Sequence, residues 1–233
     1  MNNSESHILD NSVWAALIGP QAAIADVHGL ARRYPVEVSP FTAIEDHSNP
    51  RAWLDLAELV GPDGTAVVAA NHLQIPDDWE VVYKGTGVQL LGDHVEGKED
   101  DEVIGLRVDD VPEMLDLVDR TKPGPFLPRT IELGGFVGIR VDGALVAMAG
   151  SRVHPSGWRE ISTVCTDPVH QGKGLAGRLV KTVVARIRAD GELPFLHASA
   201  TNVNAIRLYE ALGFRFRATS YFAAAKPPKV TRS

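Results

Sequence analysis

With 233 residues, 44% of them hydrophobic and 23% charged, the chain is long enough for one large domain or two small ones and has an ordinary globular composition. A formal net charge of −7 argues against a general nucleic-acid binder, and no apolar run reaches the length of a membrane span. One cysteine, Cys165, excludes an intrachain disulfide framework and suits a reducing compartment, so a cytoplasmic protein with neither nucleic-acid nor membrane partners is expected.

The opening MNNSESHILDN has no charged n-region followed by an apolar h-region, so no leader is expected. Residues 12–31 carry Val13, Trp14, Leu17, Ile18, Ile24, Val27 and Leu30 around Gly19-Pro20, which predicts two short amphipathic helices. Ser48-Asn49-Pro50 ahead of RAWLDLAELV is a better helix signal, with a capping side chain and proline in the first turn. Gly61-Pro62-Asp63-Gly64 closes it. TAVVAAN, WEVVYKG and GVQLLGD then read as strands separated by turns. His28, His47, His72 and His94 lack ligand spacing, and no metal site is expected. The acidic, glycine-containing run from Glu96 to Glu102 reads as a solvated connector, so a domain boundary is drawn between residues 1–101 and 102–233.

Beyond it, EVIGLRV predicts a strand, and Asp109-Asp110-Val111-Pro112-Glu113 opens a helix. TKPGPFLPRT holds three prolines and a glycine, which predicts an ordered loop; it either caps an acceptor site or seats Phe126 in the core. GGFVGIRVD and ALVAMAGSRVH form a hairpin on Asp142-Gly143, and Pro155-Ser156-Gly157 turns the chain into REISTVCTD. Pro168 ends that strand, having no N–H to give to a ladder. Gln171 to Gly177, QGKGLAG, then leads into a helix over 172–189 with Leu175, Leu179, Val180, Val183, Val184 and Ile187 on one face. PFLHAS reads as a strand, Asn202 or Asn204 caps a helix ending at Gly213, and FRFRATSYFAAA supplies a last strand.

A glycine-rich turn between strand and helix lets backbone N–H groups converge on an anion, and glycine lets a phosphate approach the backbone closely. A phosphate-bearing cargo is therefore expected. The glycine spacing does not fit a Walker loop. Gly172, Gly174 and Gly177 do match G-x-G-x-x-G, but the acid that a dinucleotide site needs, Asp190 or Glu192, would sit ahead of the next strand and not at its end. Gln171-x-x-Gly174-x-Ala176 resembles the Q/R-x-x-G-x-G/A pyrophosphate loop of the GNAT acyl-CoA N-acyltransferases, with Ala176 where glycine is commoner. Asn202-Val203-Asn204-Ala205-Ile206-Arg207-Leu208-Tyr209-Glu210-Ala211-Leu212-Gly213-Phe214 is similar to that superfamily's N-x-x-A-x-x-L-Y-x-x-x-G-F segment. Two motifs in the right order are far more specific than either alone, and the resemblance covers roughly residues 102–225, about half of the chain.

The resemblance implies a mixed α/β fold: a mostly antiparallel sheet with a central splayed parallel pair and helices on both faces. Residues 102–233 would be the catalytic domain. In some GNAT proteins the N-terminal half is a degenerate copy of the catalytic one, and residues 1–101 are left open to that reading. Acetyl-CoA would be the cosubstrate, its diphosphate on Gln171, Gly172, Lys173, Gly174, Leu175, Ala176 and Gly177, with Lys173 and Arg178 adding charge. Its pantetheine arm would lie along Val164, Cys165 and Thr166, with Asn202 and Asn204 nearby. An unpaired strand N–H beside a thioester carbonyl polarises it as an oxyanion hole does.

Direct transfer to an amine needs a base, for which Glu160 and His197 qualify by position, Glu160 being preferred. Strand alternation from Glu160 would put Glu160, Ser162 and Val164 on one face. Tyr209 is the matching general acid, since a phenol titrates at about 10, close enough to a thiol. Cys165 as a covalent nucleophile has neither His nor Lys beside it in sequence. The leading expectation is an N-acetyltransferase acting on a primary amine, either a small molecule or a peptide N-terminus; homodimerisation is left open. The alternatives are a non-catalytic acyl-CoA sensor and a nucleotide-binding oxidoreductase.

Overall fold

The computed structural model describes residues 7–229; residues 1–6, the start of the stretch read for a leader, and residues 230–233 lie outside them. Helix α1 (Ser12–Ile18) is followed by strands β1 (Asp26–His28), β2 (Ala31–Arg33) and β3 (Thr42–Ile44), which form a small three-stranded sheet. The second helix expected before residue 31 gives way to a 3-10 turn, Ala22–Ile24, and the β1–β2 hairpin. That hairpin is pinned by Asp55, whose carboxylate accepts the Leu30 N–H at 2.8 Å. Gly29 takes φ +51° there, and a Cβ on it would come within 2.1 Å of Asp55 Oδ2. Asp55 belongs to α2 (Pro50–Val60), which starts as its sequence demands, Asn49 Oδ1 accepting the Arg51 N–H at 3.0 Å.

Next come β4 (Ala66–Ala70) and β5 (Glu80–Leu91). WEVVYKG and GVQLLGD are thus parts of one strand, not two. The glycines between them are needed for close approach: a Cβ on Gly85 would meet the Phe222 ring at 2.7 Å, and one on Gly87 the Ala198 carbonyl oxygen at 2.8 Å. The chain continues through β6 (Ile104–Gly105), far shorter than EVIGLRV, then α3 (Val111–Thr121), β7 (Val137–Val141), β8 (Ala144–Ser151) and β9 (Trp158–Thr166). Helix α4 (Leu175–Ala189), strand β10 (Leu193–Ser199), helix α5 (Val203–Ala211) and strand β11 (Arg215–Lys226) complete it. The β7–β8 hairpin turns on Asp142 (φ +49°) and Gly143 (φ +85°), as expected of Asp-Gly.

Eight strands form the main sheet in the order β4-β11-β5-β10-β9-β8-β7-β6, antiparallel throughout except for the β9–β10 pair. The mixed α/β fold with one central parallel pair is therefore as expected. Helix α4 covers one face with Leu179, Val180, Val183, Val184 and Ile187, against Ile161 and Leu196. Each such side chain contributes roughly 1.5–3 kcal/mol on full burial. Helix α3 covers the other face, where Met114 and Leu117 meet Met148, Cys165 and Phe136.

The division drawn at residue 101 does not separate two sheets. Strand β5 lies between β10 and β11, and Trp53 and Leu56 of α2 share a core with Val68, Ala223 and Ala225. Nor is the acidic run simply solvated. Gly97 packs so tightly on α4 that a Cβ would meet Ala185 backbone at 2.6 Å, and the Lys98 N–H donates to the Lys181 carbonyl at 3.0 Å. Asp100 binds Arg178 at 2.7 and 2.8 Å. No helix among the described residues is long and apolar enough to cross a membrane.

Candidate active site

The parallel pairing of β9 with β10 runs from Trp158–Leu193 to Ile161–Leu196 and then stops, although β9 continues to Thr166 and β10 to Ser199. Beyond Ile161 the two strands keep partners only on their outer sides, β8 for β9 and β5 for β10, and the gap between them opens. Val164, Cys165 and Thr166 edge this gap. Strand alternation fails on the way to them. Gly150 pairs Ser162 and Met148 pairs Cys165, so Thr163 and Val164 together oppose Ala149 in a β-bulge, with Thr163 at φ +55°. The extra residue turns Val164 to the α4 side with Ile161, whereas Glu160 lines the opposite side; the expected shared face of Glu160, Ser162 and Val164 is thereby corrected.

At the far end of β9 the QGKGLAG loop leads into α4. Gly172 and Gly174 both take φ +76°, so the helix starts at Leu175 and not at residue 172. Gly174 occupies the cap position and provides no capping side chain. The Arg178 N–H makes the first intrahelical bond, to the Gly174 carbonyl at 3.2 Å, which leaves the N–H groups of Leu175, Ala176 and Gly177 without intrahelical acceptors. Free main-chain donors at a helix start with no acidic residue in the first turn are a donor set that fits a diphosphate. Gln171, Gly172, Lys173 and Gly174 are exposed around it. Arg178 does not project its charge freely, because Asp100 and Glu102 both hold it. Lys98 and Lys181, which sequence reasoning passed over, line a cavity of about 430 Å³ with Gly174 and Gly177 and supply cationic charge beside the loop.

On the other side of the gap, Glu160 and His197 line a cavity of about 390 Å³. Glu160 is 2% exposed. Its carboxylate takes His197 Nδ1 at 2.9 Å, Arg152 Nε at 3.3 Å and the Val153 N–H at 3.3 Å. Burial works against the charge, but the Arg152 guanidinium and the His197 hydrogen bond outweigh it and hold Glu160 down to about 2. Gln89, Arg152 and Arg217 complete this cluster, and sequence reasoning missed all three. The available signal was a glutamine inside the apolar run GVQLLG.

Gln89 faces His197 across the β5–β10 ladder, and Arg217 is the extra residue of a bulge in β11 opposite Leu90 and Gln89. Arg217 Nη1 donates to Gln89 Oε1 at 2.6 Å, while Gln89 Nε2 donates to the Leu9 carbonyl at 2.9 Å and reaches His197 Nε2 at 3.0 Å. Arginine has only donors, so the Gln89 oxygen must face it and the amide N–H must face the histidine. His197 Nε2 is therefore the acceptor, and Nδ1 carries the proton donated to Glu160. Arg217 is itself held by Asp10 at 2.7 Å.

Tyr209 does not line that cavity. It is buried in the α4–α5 core with its ring 5.8 Å from Phe214, and burial first, then Cys165, pushes its phenol up to about 12. Tyr209 thus lies on the α4–α5 side of the sheet, near enough to the Cys165 thiol on the α3 side for the two to interact across the gap, and the Glu160–His197 pair is reached from the side away from Tyr209. Burial likewise pushes the Cys165 thiol up to about 11, which keeps it protonated and inert as a nucleophile. Asn202 caps α5, its Oδ1 accepting the Ala205 N–H at 3.1 Å, and Asn204 is exposed in the first turn. Gly124 and Pro125 of the proline-rich loop line the cavity, while Phe126 is buried in the core and packs on Phe136 at 5.3 Å. Glu192 and Asp190, the candidate ribose acids, are bound by Arg159 at 2.7 and 2.8 Å. No cluster of metal-ligating side chains occurs among the described residues.

A family model described as FR47-like protein matches residues 136–223. A solved structure of a putative acetyltransferase from the GNAT family of Novosphingobium aromaticivorans is 37% identical, covers 95% of this chain and 99% of its own, and superposes with a TM-score of 0.88. The mycothiol acetyltransferase of Thermomonospora curvata is 28% identical over 226 residues, 93% of this chain; the chain spans 64% of that relative's length. A GCN5-related N-acetyltransferase from Kribbella flavida, 17% identical with a TM-score of 0.60 over 92% of this chain and 95% of its own, shares the fold.

Proposed function

The chain belongs to the GNAT family of acetyltransferases, and from that premise we propose that it transfers an acetyl group from acetyl-CoA to a primary amine by direct attack. One observation carries the reading: β9 and β10 part after Ile161 and Leu196, with uncapped helix donors at one end of the gap and the Glu160–His197 cavity at the other. Bound acetyl-CoA supplies an acetyl group activated as a thioester, with a thiolate as leaving group. The N–H groups from Gly172 to Gly177 hold the diphosphate, with Gln171 and Lys173 beside it. The free edge of Val164, Cys165 and Thr166 orients the pantetheine arm, with the exposed Asn202 and Asn204 at the start of α5 as its further polar contacts.

The acceptor amine enters the cavity of Glu160 and His197 and gives up one proton to that pair. Glu160, ionised and fixed by Arg152, supports positive charge on His197 but is too weak a base to keep a proton by itself. Tyr209, protonated throughout the physiological range, delivers its phenolic proton to the departing sulfur. Tyr209→Phe is expected to lower kcat by about tenfold or more while leaving acetyl-CoA binding intact, followed as thiol release against an amine panel. Unchanged turnover would remove the general-acid role. The reducing environment suited to a lone buried cysteine supports a cytoplasmic enzyme.

A second reading, an acyl-CoA sensor without turnover, is favoured by the engagement of both His197 ring nitrogens within the protein. Acetyl-CoA binding with no product from any amine distinguishes it.

A further inference from the structure

We propose that the acceptor is a primary monoamine on an apolar body, an alkylamine or arylalkylamine, and not a polyamine, an aminosugar or a peptide N-terminus. The chemistry rests on the transferase reading; the selectivity rests on the cavity. Phe41, Val67, Ala69, Pro125, Val153 and Phe222 are among the apolar residues that dominate its wall. Its volume of about 390 Å³ falls within the range of small-ligand sites, ~300–1,000 Å³.

Charge in the wall is confined to one place. Arg152 and Glu160 face each other at 3.3 Å, His197 shares the same carboxylate at 2.9 Å, and Arg152 also lies over the Phe41 ring at 4.8 Å. Among the described residues, no carboxylate lining the cavity is left without a cationic partner. A second or third ammonium of a polyamine would therefore be buried unpaired, which is costly. Ser12, Tyr83, Ser199 and Ser220 are the hydroxyl-bearing residues that line it, too few for the many polar atoms of an aminosugar or a peptide backbone. An apolar body has the opposite balance, gaining about three- to fourfold in affinity for each methylene it buries. The same dryness disfavours the ammonium form of the bound amine and so favours the free amine, which is the nucleophile.

The test measures kcat/KM by thiol release for propylamine, butylamine, pentylamine and hexylamine, beside spermidine, glucosamine and a tripeptide with a free N-terminus. Calorimetric binding of each amine is measured in the presence of coenzyme A. The expected result is a rise of about three- to fourfold per methylene along the alkyl series, with hexylamine at least a hundredfold above the other three. A flat series, or preference for spermidine, glucosamine or the tripeptide, overturns the proposal while the transferase reading stands. Acetylation of no amine, with affinity still rising per methylene, removes the transferase reading and keeps the ligand class. Neither turnover nor a trend in affinity overturns both.

Discussion

The start of α4 and the cavity on the far side of the β9–β10 gap would hold a ligand by opposite means. The first consists of consecutive residues, exposed, donating through the main chain, with Gly174 at the position where α2 has Asn49 and α5 has Asn202. In those two helices a side chain consumes a terminal N–H; in α4 nothing does. The cavity is built from residues of α1, β4, β5, β9, β10 and β11 and of the loops that hold Phe41, Pro125 and Arg152, and its charge is neutralised internally. One region is specified by local backbone conformation and the other by packing across the whole chain. Substitutions should therefore separate them, each affecting one half-reaction partner and leaving the other alone.

Glu160→Gln is expected to produce the largest effect. It keeps the shape of the side chain but removes the charge facing Arg152 and His197, and kcat/KM for the amine should fall at least a hundredfold. The KM for acetyl-CoA should not change, because the loop donors are untouched. Equal losses for both substrates would mean that the two regions are one coupled unit.

The same carboxylate gives a pH test. Glu160 is held below its ordinary 4.5, at about 2, so its ion pairs stabilise the fold fully above about 4.5 and lose that contribution as pH falls towards 2. The native protein should lose about 3 kcal/mol more stability than Glu160→Gln across that window, read by denaturant unfolding at each pH. Parallel acid limbs for the two proteins would show that the carboxylate is not ionised in the fold.

Gly174→Val addresses the other region. Its Cβ would meet nothing within 4 Å, so packing is spared, but φ +76° costs a β-branched residue ~1–2 kcal/mol. Relaxation of the loop away from its anion geometry should raise the KM for acetyl-CoA about tenfold and leave the amine dependence as it was. A change in the amine profile instead would tie the loop to the acceptor side.

The same contrast explains what could be read from the sequence. Gln171 to Gly177 and Asn202 to Phe214 are contiguous, and glycine at positive φ, a missing cap and a capping asparagine each leave a mark within a few residues. The cavity leaves fewer: Glu160 and His197 stand out by position and Gln89 as a glutamine in an apolar run, but what they meet does not. Asp10 and Arg217 meet across a separation of 207 residues, and β5 joins the sheet between strands that come more than a hundred positions later. Period-two reasoning also fails wherever a bulge adds a residue. Thr163 moves Val164 off the face of Glu160, and the bulge at Arg217 brings a guanidinium to Gln89. Gly85-Thr86-Gly87 looks like a turn because glycine marks turns and close approaches alike, and only the Phe222 ring and the Ala198 carbonyl reveal which applies.

Gln89 is the finest test of the cavity as a side-chain construction. Its oxygen is committed to Arg217, so its amide can only donate to His197 Nε2, and a protonated His197 finds no acceptor there. Glu160 and Arg152 face the imidazole from the Nδ1 side, while Arg217 and Asp10 stand behind Gln89. Gln89→Glu replaces the donor with a carboxylate oxygen that accepts from Nε2–H, so Nε2 can no longer take the proton of the amine, and kcat/KM for the amine should fall at least tenfold, followed as thiol release. Gln89→Leu removes the donor without adding an acceptor, leaves Nε2 free and should cost less, through a loosened ring alone. A residue that only packed would give its larger loss in Gln89→Leu. Equal or larger losses there would therefore mean that the proton of the amine does not pass through His197, leaving the charge-paired Glu160 and the dryness of the cavity to prepare the nucleophile.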